Sequence, residues 1–386
     1  MHTHLPSIVA FLFYFCHFCY YTEVLEEPQL INNDPVHFEN ELQETVEVLV
    51  HRTTIRVDLV MAFKNPEILK YCIKFSVINA NGKKEKGTGE GVTRDVLSTF
   101  WQEFYTVLSI GSKEKSPIIR HEYQKMEWEA IARLLVYGYK AVGYFPLQLS
   151  HIFMSTCLFG DDHLTRPALL DSFHSYITSE DREIFDKCVS NDFDPTNEEI
   201  IEFLSNWNCH RLPTKDNIQD ILYEFAHQEL LQKPRYIANC WGPILSILKV
   251  DPAFQTIERL TNLYDCKRPS ARKILRMIDA ETENDSQRRA LDHLKRYVRS
   301  LEGNTLKKFL HFVTGSDVIV CDKITVEFTS LDGFNRRPIV HTCGPMIELP
   351  TTYDSYTDLA EEFNNIMRED KSWSFHIAYV FLKHFY

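Results

Sequence analysis

Hydrophobic and polar residues alternate in two segments of the N-terminal half. Apolar side chains recur at every second position, first at Ile55, Val57 and Leu59 and then at Ile73, Phe75 and Val77. A period of two is typical of strands that bury one face. The sequence therefore predicts a strand in each segment.

Helical spacing follows these segments. A polar loop with several glycines runs over residues 79–91 and leads into a predicted helix with apolar positions at Val92, Val96, Phe100, Phe104 and Val107. A second predicted helix contains Trp128, Ile131, Leu134 and Leu135. Residues 163–235 are mostly helical in pattern, with a break at Asp194-Pro195.

The C-terminal hundred residues combine helices and strands after a polar stretch. Residues 279–288 lack an apolar period and are interpreted as a surface connector. Helical stripes follow at 291–301, 306–313 and 356–367, and Gly315 is predicted to end the second helix. Alternation predicts strands at 324–328 and 373–377. This pattern predicts a small α+β unit.

Composition restricts the class of protein. The chain has 386 residues, a formal charge of −12, 44% hydrophobic and 25% charged residues. Single cores stop growing near about 300 residues, so two lobes are expected. The acidic balance argues against a nucleic-acid partner. The 10 cysteines are scattered along the chain, which is typical of reduced thiols in the cytoplasm or nucleus.

The leader, residues 1–45, is treated separately and left unassigned. Its apolar run Ile8–Tyr21 has 14 residues, fewer than the ~20 that span a bilayer. It lacks a basic start and a small-residue cleavage site, so membrane association is not expected. A secreted or membrane-tethered protein is the minority interpretation.

The segment Pro338–Pro350 contains the most specific candidate chemistry. His341 and Cys343 are two residues apart, so an extended backbone would place both side chains on one face. Thiolates are strong nucleophiles, and a neighbouring imidazole can accept or shuttle the proton. The spacing alone also fits a structural cysteine that happens to follow a histidine.

The order of motifs around this segment resembles the HECT ubiquitin ligases. In that family, a helix ending in Phe-Val-Thr-Gly precedes a His-Thr-Cys loop and then a Leu-Pro pair; here these are 312–315, 341–343 and 349–350. A helix that begins with tyrosine follows in both. The glycine-rich segment 87–95 also looks like the family's entry into its N-terminal lobe. The resemblance covers roughly residues 51–378.

The resemblance implies a bilobal α+β fold and a covalent relay. A larger, mostly helical N-terminal lobe at 46–280 would dock a ubiquitin-conjugating enzyme, and a hinge would join it to the catalytic lobe at 281–386. Cys343 would accept ubiquitin as a thioester and pass it to a lysine of a protein substrate. His341 and Thr342 would support the loop. An aromatic residue near the C-terminus, Phe375 or its rivals Phe381 and Phe385, would position the tail.

Other interpretations stay open. This chain has Gly344 where the family usually has phenylalanine, so a catalytically inactive HECT-like module that binds ubiquitin or a conjugating enzyme is the alternative. The glycine spacing at 87–91 alone indicates a tight turn rather than a phosphate site. The pairs Cys16 with Cys19 and Cys209 with His210 lack further metal ligands. No cofactor or metal is expected.

Overall fold

The fold is known for most of the chain but not for its ends. A computed structural model describes residues 44–190 and 193–368. Residues 1–43 of the leader with their cysteine pair, the strand predicted at 373–377 and the three aromatic candidates Phe375, Phe381 and Phe385 lie outside the described residues.

Amphipathic helices make up most of the described chain. Many begin at a side chain that caps free backbone N–H groups, such as Thr165, Thr178 and Asn197. The helices are α1 (Ile55–Phe63), α2 (Glu90–Val107), α3 (Lys125–Val142), α4 (His151–Phe159), α5 (Arg166–Tyr176), α6 (Ser179–Val189), α7 (Glu198–Asn206), α8 (Ile218–His227), α9 (Arg235–Leu245), α10 (Ile257–Lys267), α11 (Ala271–Met277), α12 (Asp285–Ser300), α13 (Gly303–Thr314) and α14 (Tyr356–Arg368).

The strands form three small sheets. They are β1 (Thr45–His51), β2 (Cys72–Ile78), β3 (Ser109–Ile110), β4 (Ser116–Pro117), β5 (Ile278–Asp279), β6 (Ile324–Thr329), β7 (Ile339–His341) and β8 (Met346–Pro350). β1 pairs with β2 in parallel and β3 with β4 antiparallel. The third sheet has the order β5-β6-β8-β7, and β7 and β8 are antiparallel. The predicted mixed α+β class is confirmed.

One predicted element is wrong and another is shorter than predicted. Residues 55–59 are helical, because Ile55, Leu59, Val60 and Phe63 are buried at helical spacing while Val57 is 49% exposed. The polar connector predicted at 279–288 is present over residues 280–284, because Asp279 pairs in β5 and α12 begins at Asp285. The other predicted helices and described strands are confirmed, including the positive φ of Gly315 at the end of α13.

Buried apolar side chains form three clusters. The first surrounds Phe100, Trp101 and Trp241 and takes in β1, β2 and α1–α4. The second joins α11–α14 to the four-stranded sheet, and the third holds α5–α8. The described part of the chain belongs to one contact unit beginning at Glu41, so the division into two lobes at residue 280 stays a prediction.

The segment after α13 attaches the C-terminal region to the first cluster. Val318 is buried in that cluster, and the Tyr144 hydroxyl donates a hydrogen bond to Asp317 Oδ1 at 2.9 Å. Ser98 Oγ of α2 donates to the Gly315 carbonyl at 3.3 Å. A Cβ on Gly315 would lie 2.6 Å from the Gly91 carbonyl oxygen. The start of α2 and the end of α13 therefore meet backbone to backbone.

Within the described residues, no helix has both the length and the apolar character needed to cross a bilayer.

The close approach of Gly315 to the Gly91 carbonyl predicts that one substitution is unusually destabilising. Gly315→Ala should lower the free energy of unfolding by roughly 2–4 kcal/mol, because the new methyl group both strains a left-handed residue and clashes with Gly91. Gly143→Ala is the matched control: Gly143 also ends a helix at positive φ, but its nearest atom is the flexible end of Lys267. It should lose only about 1 kcal/mol. Urea denaturation measures both, and equal losses would contradict the close contact.

Candidate catalytic site

Cys343 lies at the tip of a tight hairpin. β7 ends at His341, β8 begins at Met346, and residues 342–345 form the turn between them. Gly344 and Pro345 favour such a turn, and the Pro345 carbonyl accepts a hydrogen bond from Thr325 N of β6 at 3.0 Å. The extended backbone that would place His341 and Cys343 on one face is therefore not observed, because the strand ends before Thr342.

The sulfur of Cys343 is exposed yet has a backbone partner. Cys343 Sγ donates to the carbonyl oxygen of Thr88 at 3.1 Å. A Cβ on Gly89 would lie 3.2 Å from this sulfur, and a Cβ on Gly91 would lie 2.1 Å from Thr342 Oγ1. Glycine is needed at position 91 because the turn approaches the backbone more closely than any side chain allows. The glycine-rich loop thus forms one wall of the site.

Arg94 connects α2 to the turn. Its Nη1 donates to the Thr342 carbonyl at 3.1 Å, and its Nη2 pairs with Glu90 Oε2 at 2.6 Å. Arg94 is only 5% exposed and Thr342 only 8%. The residue that precedes the cysteine is therefore buried and held, while the cysteine itself is open to solvent.

His341 is oriented by a carboxylate. Its Nε2 donates to Glu348 Oε1 at 2.7 Å across the hairpin, and both side chains are about a quarter to a third exposed (30% and 25%). A carboxylate partner fixes the orientation of the ring. The structure thus places His341 beside the turn, directed at Glu348.

A buried ionic network lies beneath the site. Asp95 follows Arg94 in α2 and is 3% exposed. It accepts hydrogen bonds from His311 Nε2 of α13 at 3.0 Å and from Arg52, which also holds Glu85 through two N–H groups at 2.9 Å each. Burial acts to raise the pKa of Asp95, but the hydrogen bond from His311 and the charge of Arg52 outweigh it and lower the pKa.

Exposure distinguishes Cys343 from most other cysteines. The eight described cysteines are free, and only Cys72 and Cys343 are exposed. Burial raises the pKa of the thiols of Cys157, Cys188, Cys240 and Cys321, to about 11 for Cys188 and Cys321. These thiols stay protonated at neutral pH and are poor nucleophiles. Cys209 is partly buried and packs against the third apolar cluster. Over the described ranges, no group of three or more potential metal-ligating side chains forms.

Sequence patterns identified the cysteine turn but not its surroundings. The glycine loop was noted as a tight turn, whereas its contact with Cys343 and the roles of Arg94, Asp95 and His311 were missed. The available signal was the combination of two glycines with an adjacent Arg-Asp pair. Glycines allow a close backbone approach, and a charged side chain that is buried needs a partner, but the sequence names the partner in neither case.

Comparison with known proteins gives a match in the C-terminal part of the chain. A family model described as HECT-domain (ubiquitin-transferase) matches residues 265–377. The match contains the whole hairpin with His341, Thr342 and Cys343, and it covers less than a third of the chain. No curated protein matches the chain.

The lowered pKa of Asp95 predicts how its contribution to stability depends on pH. A carboxyl whose folded pKa is lowered contributes most above its unfolded pKa of about 3.9, and the contribution is lost as the pH falls through the folded value. Asp95→Asn should lower the free energy of unfolding by about 3 kcal/mol at pH 7. Its difference from the wild type should shrink as the pH falls below about 4.

Denaturant titrations at pH 7, 5, 4 and 3 measure this difference. Asp220→Asn is the control, because Asp220 forms an exposed pair with Arg166 and should change stability by less than about 1 kcal/mol. A pH-independent difference for Asp95→Asn would show that its carboxylate charge contributes nothing.

Proposed function

Since the chain is a HECT-domain protein, we propose that it is a ubiquitin-protein transferase with Cys343 as the thioester-forming nucleophile. The observation that carries this proposal is the position of Cys343: an exposed thiol on a turn whose neighbouring residue is buried and hydrogen-bonded. A nucleophile that must meet two large protein partners in turn needs both access and a defined direction.

The proposed reaction has two balanced steps. In loading, the Cys343 sulfur loses its proton and bonds to the carbonyl carbon at the C-terminus of ubiquitin, while the conjugating enzyme's cysteine leaves and takes up a proton. In discharge, a substrate lysine nitrogen bonds to that carbon and loses a proton, while the Cys343 sulfur leaves and takes up a proton. Exchange of one thioester for another is nearly energy-neutral, so cysteine conserves the activation that an amide bond then consumes.

His341 and Thr342 have supporting roles in this proposal. The His341 ring, held by Glu348, accepts or returns a proton near the turn during either step. Thr342 fixes the geometry of the turn, since its side chain packs on Gly91 and its carbonyl is bound by Arg94.

The helices of the third cluster are the proposed docking site for the conjugating enzyme. They form their own core, separate from the first cluster, and the loop between α7 and α8 presents Leu212 with 81% exposure. This exposed apolar side chain is where we place the contact with the conjugating enzyme. We place the reaction in the cytoplasm or nucleus, where free thiols persist.

Thioester trapping tests the nucleophile. The full chain, mixed with conjugating enzyme charged with ubiquitin, should form an adduct that a reducing agent removes. The adduct should be absent in Cys343→Ala and resistant to reducing agent in Cys343→Ser, which would form an ester. Cys72→Ala is the matched control, because Cys72 is the other exposed cysteine among the described residues, and it should load normally.

The same gel separates the proposal from its alternative. An adduct that persists in Cys343→Ala would assign the nucleophile elsewhere. Binding to ubiquitin or to the conjugating enzyme without any adduct would identify a catalytically inactive module.

A double-mutant cycle tests the pairing of His341 with Glu348. His341→Gln and Glu348→Gln should each slow ubiquitin transfer by roughly 10- to 100-fold, the usual size of a proton-transfer contribution. The double variant should be no slower than the worse single variant, because the two residues act as one unit. Single-turnover rates measure this. His51→Gln, which breaks a remote exposed pair with Asp58, should transfer normally; effects that multiply would exclude a joint role.

A further inference from the structure

Arg94 is a buried charge whose contacts are poorly explained by stability alone. Its guanidinium reaches across the chain to Thr342, 248 residues away, and pairs with Glu90. Its Nε is buried and has no hydrogen-bond partner within the described part of the chain. A buried N–H without a partner is unfavourable, so a purely structural side chain at this position would be expected to be apolar or fully paired.

Two hydrogen bonds hold the cysteine turn against the start of α2. One runs from Cys343 Sγ to the Thr88 carbonyl, and the other from Arg94 Nη1 to the Thr342 carbonyl. The first depends on the thiol hydrogen. Loading replaces this hydrogen with an acyl carbon, so Thr88 loses its donor at the moment when the thioester forms.

The space around the sulfur adds to this change. A single methyl group on Gly89 would already lie 3.2 Å from Sγ, so an acyl group on the sulfur cannot occupy the Gly89 side without displacing backbone. The Arg94 contact, in contrast, is made to the peptide that precedes Cys343 and does not involve the sulfur. It is unaffected by whether the sulfur carries hydrogen or ubiquitin.

We propose that Arg94 is a positioning residue that keeps the loaded Cys343 turn seated on α2, and that it acts mainly in discharge to lysine. This inference rests on the proposed function. Before loading, the hydrogen bonds of the thiol and of Arg94 both hold the turn. After loading, only the Arg94 bond of these two remains. Because the peptide bond is planar, fixing the Thr342 carbonyl fixes the direction in which Cys343 leaves the turn. The thioester carbonyl is then presented in one orientation to the incoming amine.

Arg133 provides a matched control. It is 8% exposed, pairs with a glutamate four residues earlier, Glu129, and donates to a backbone carbonyl, that of Phe63, at 3.1 Å. Arg94 has the same three features but reaches the catalytic turn. Replacing either arginine by methionine removes a similar buried charge, so their general effects on folding should be alike.

The test measures loading and discharge separately at a temperature where each variant is folded. Arg94→Met should slow discharge of the isolated ubiquitin adduct to a lysine acceptor by roughly 10- to 100-fold, the size expected for a misplaced reacting group. Its loading rate should stay within about threefold of the wild type. Arg94→Lys, which keeps one donor in reach of Thr342, should discharge at an intermediate rate. Arg133→Met should leave both rates unchanged.

The outcomes are distinct. Wild-type discharge in Arg94→Met, or equal slowing of loading and discharge, would overturn the positioning role while leaving the proposed function intact. If Arg133→Met slowed discharge as much as Arg94→Met, any buried arginine in this core would matter for the rate. That result would also overturn the positioning role of Arg94. A wild-type chain that never loads would overturn the proposed function and this inference together.

Discussion

The contact between the cysteine turn and the glycine-rich loop is the constraint on which the site depends. Thr342 packs on Gly91 so closely that a methyl group would overlap its hydroxyl. The carbonyl oxygen of the same Gly91 lies against Gly315 at the end of α13. Two distant parts of the C-terminal region therefore converge on one turn of α2. Such contacts are possible only where a side chain is missing on one partner. The glycines therefore determine where Cys343 lies, although they supply no chemistry.

Two adjacent charged residues of α2 reinforce this junction through different partners. Arg94 reaches the turn before Cys343, and Asp95 reaches His311 on α13. Both are buried, so separating the C-terminal region from α2 would expose or orphan two charged groups at once. The proposed relay, in which Cys343 faces a donor and then an acceptor, would have to loosen this junction. The hydrogen bonds of Arg94 and Asp95 therefore oppose separation of the C-terminal region from α2.

Local patterns predicted the C-terminal region well and the junction poorly. The stripes of α12, α13 and α14 are regular because each helix buries one face, and a regular face is visible in sequence. The alternation at 55–59 predicted a strand and was wrong, because three residues cannot distinguish a period of two from a short buried helix face. Cys343 was selected through its motif, and its role as nucleophile stays a proposal. Arg94 and Asp95 were missed because their partners lie more than 200 residues away, where no local period records the contact.

The two sides of the cysteine turn differ in the space they offer. On the α2 side, Gly89 and Gly91 lie against the turn with no room for a methyl group at position 91. On the other side, an ideal Cβ at Gly344 meets no atom within 4 Å among the described residues. In the proposed reaction, the thioester would therefore reach Cys343 from the Gly344 side, while the α2 side backs the turn. This backing contacts the sulfur through the Thr88 carbonyl and the preceding peptide through Arg94. The direction of Cys343 is thus controlled from the α2 side, and its access lies on the Gly344 side.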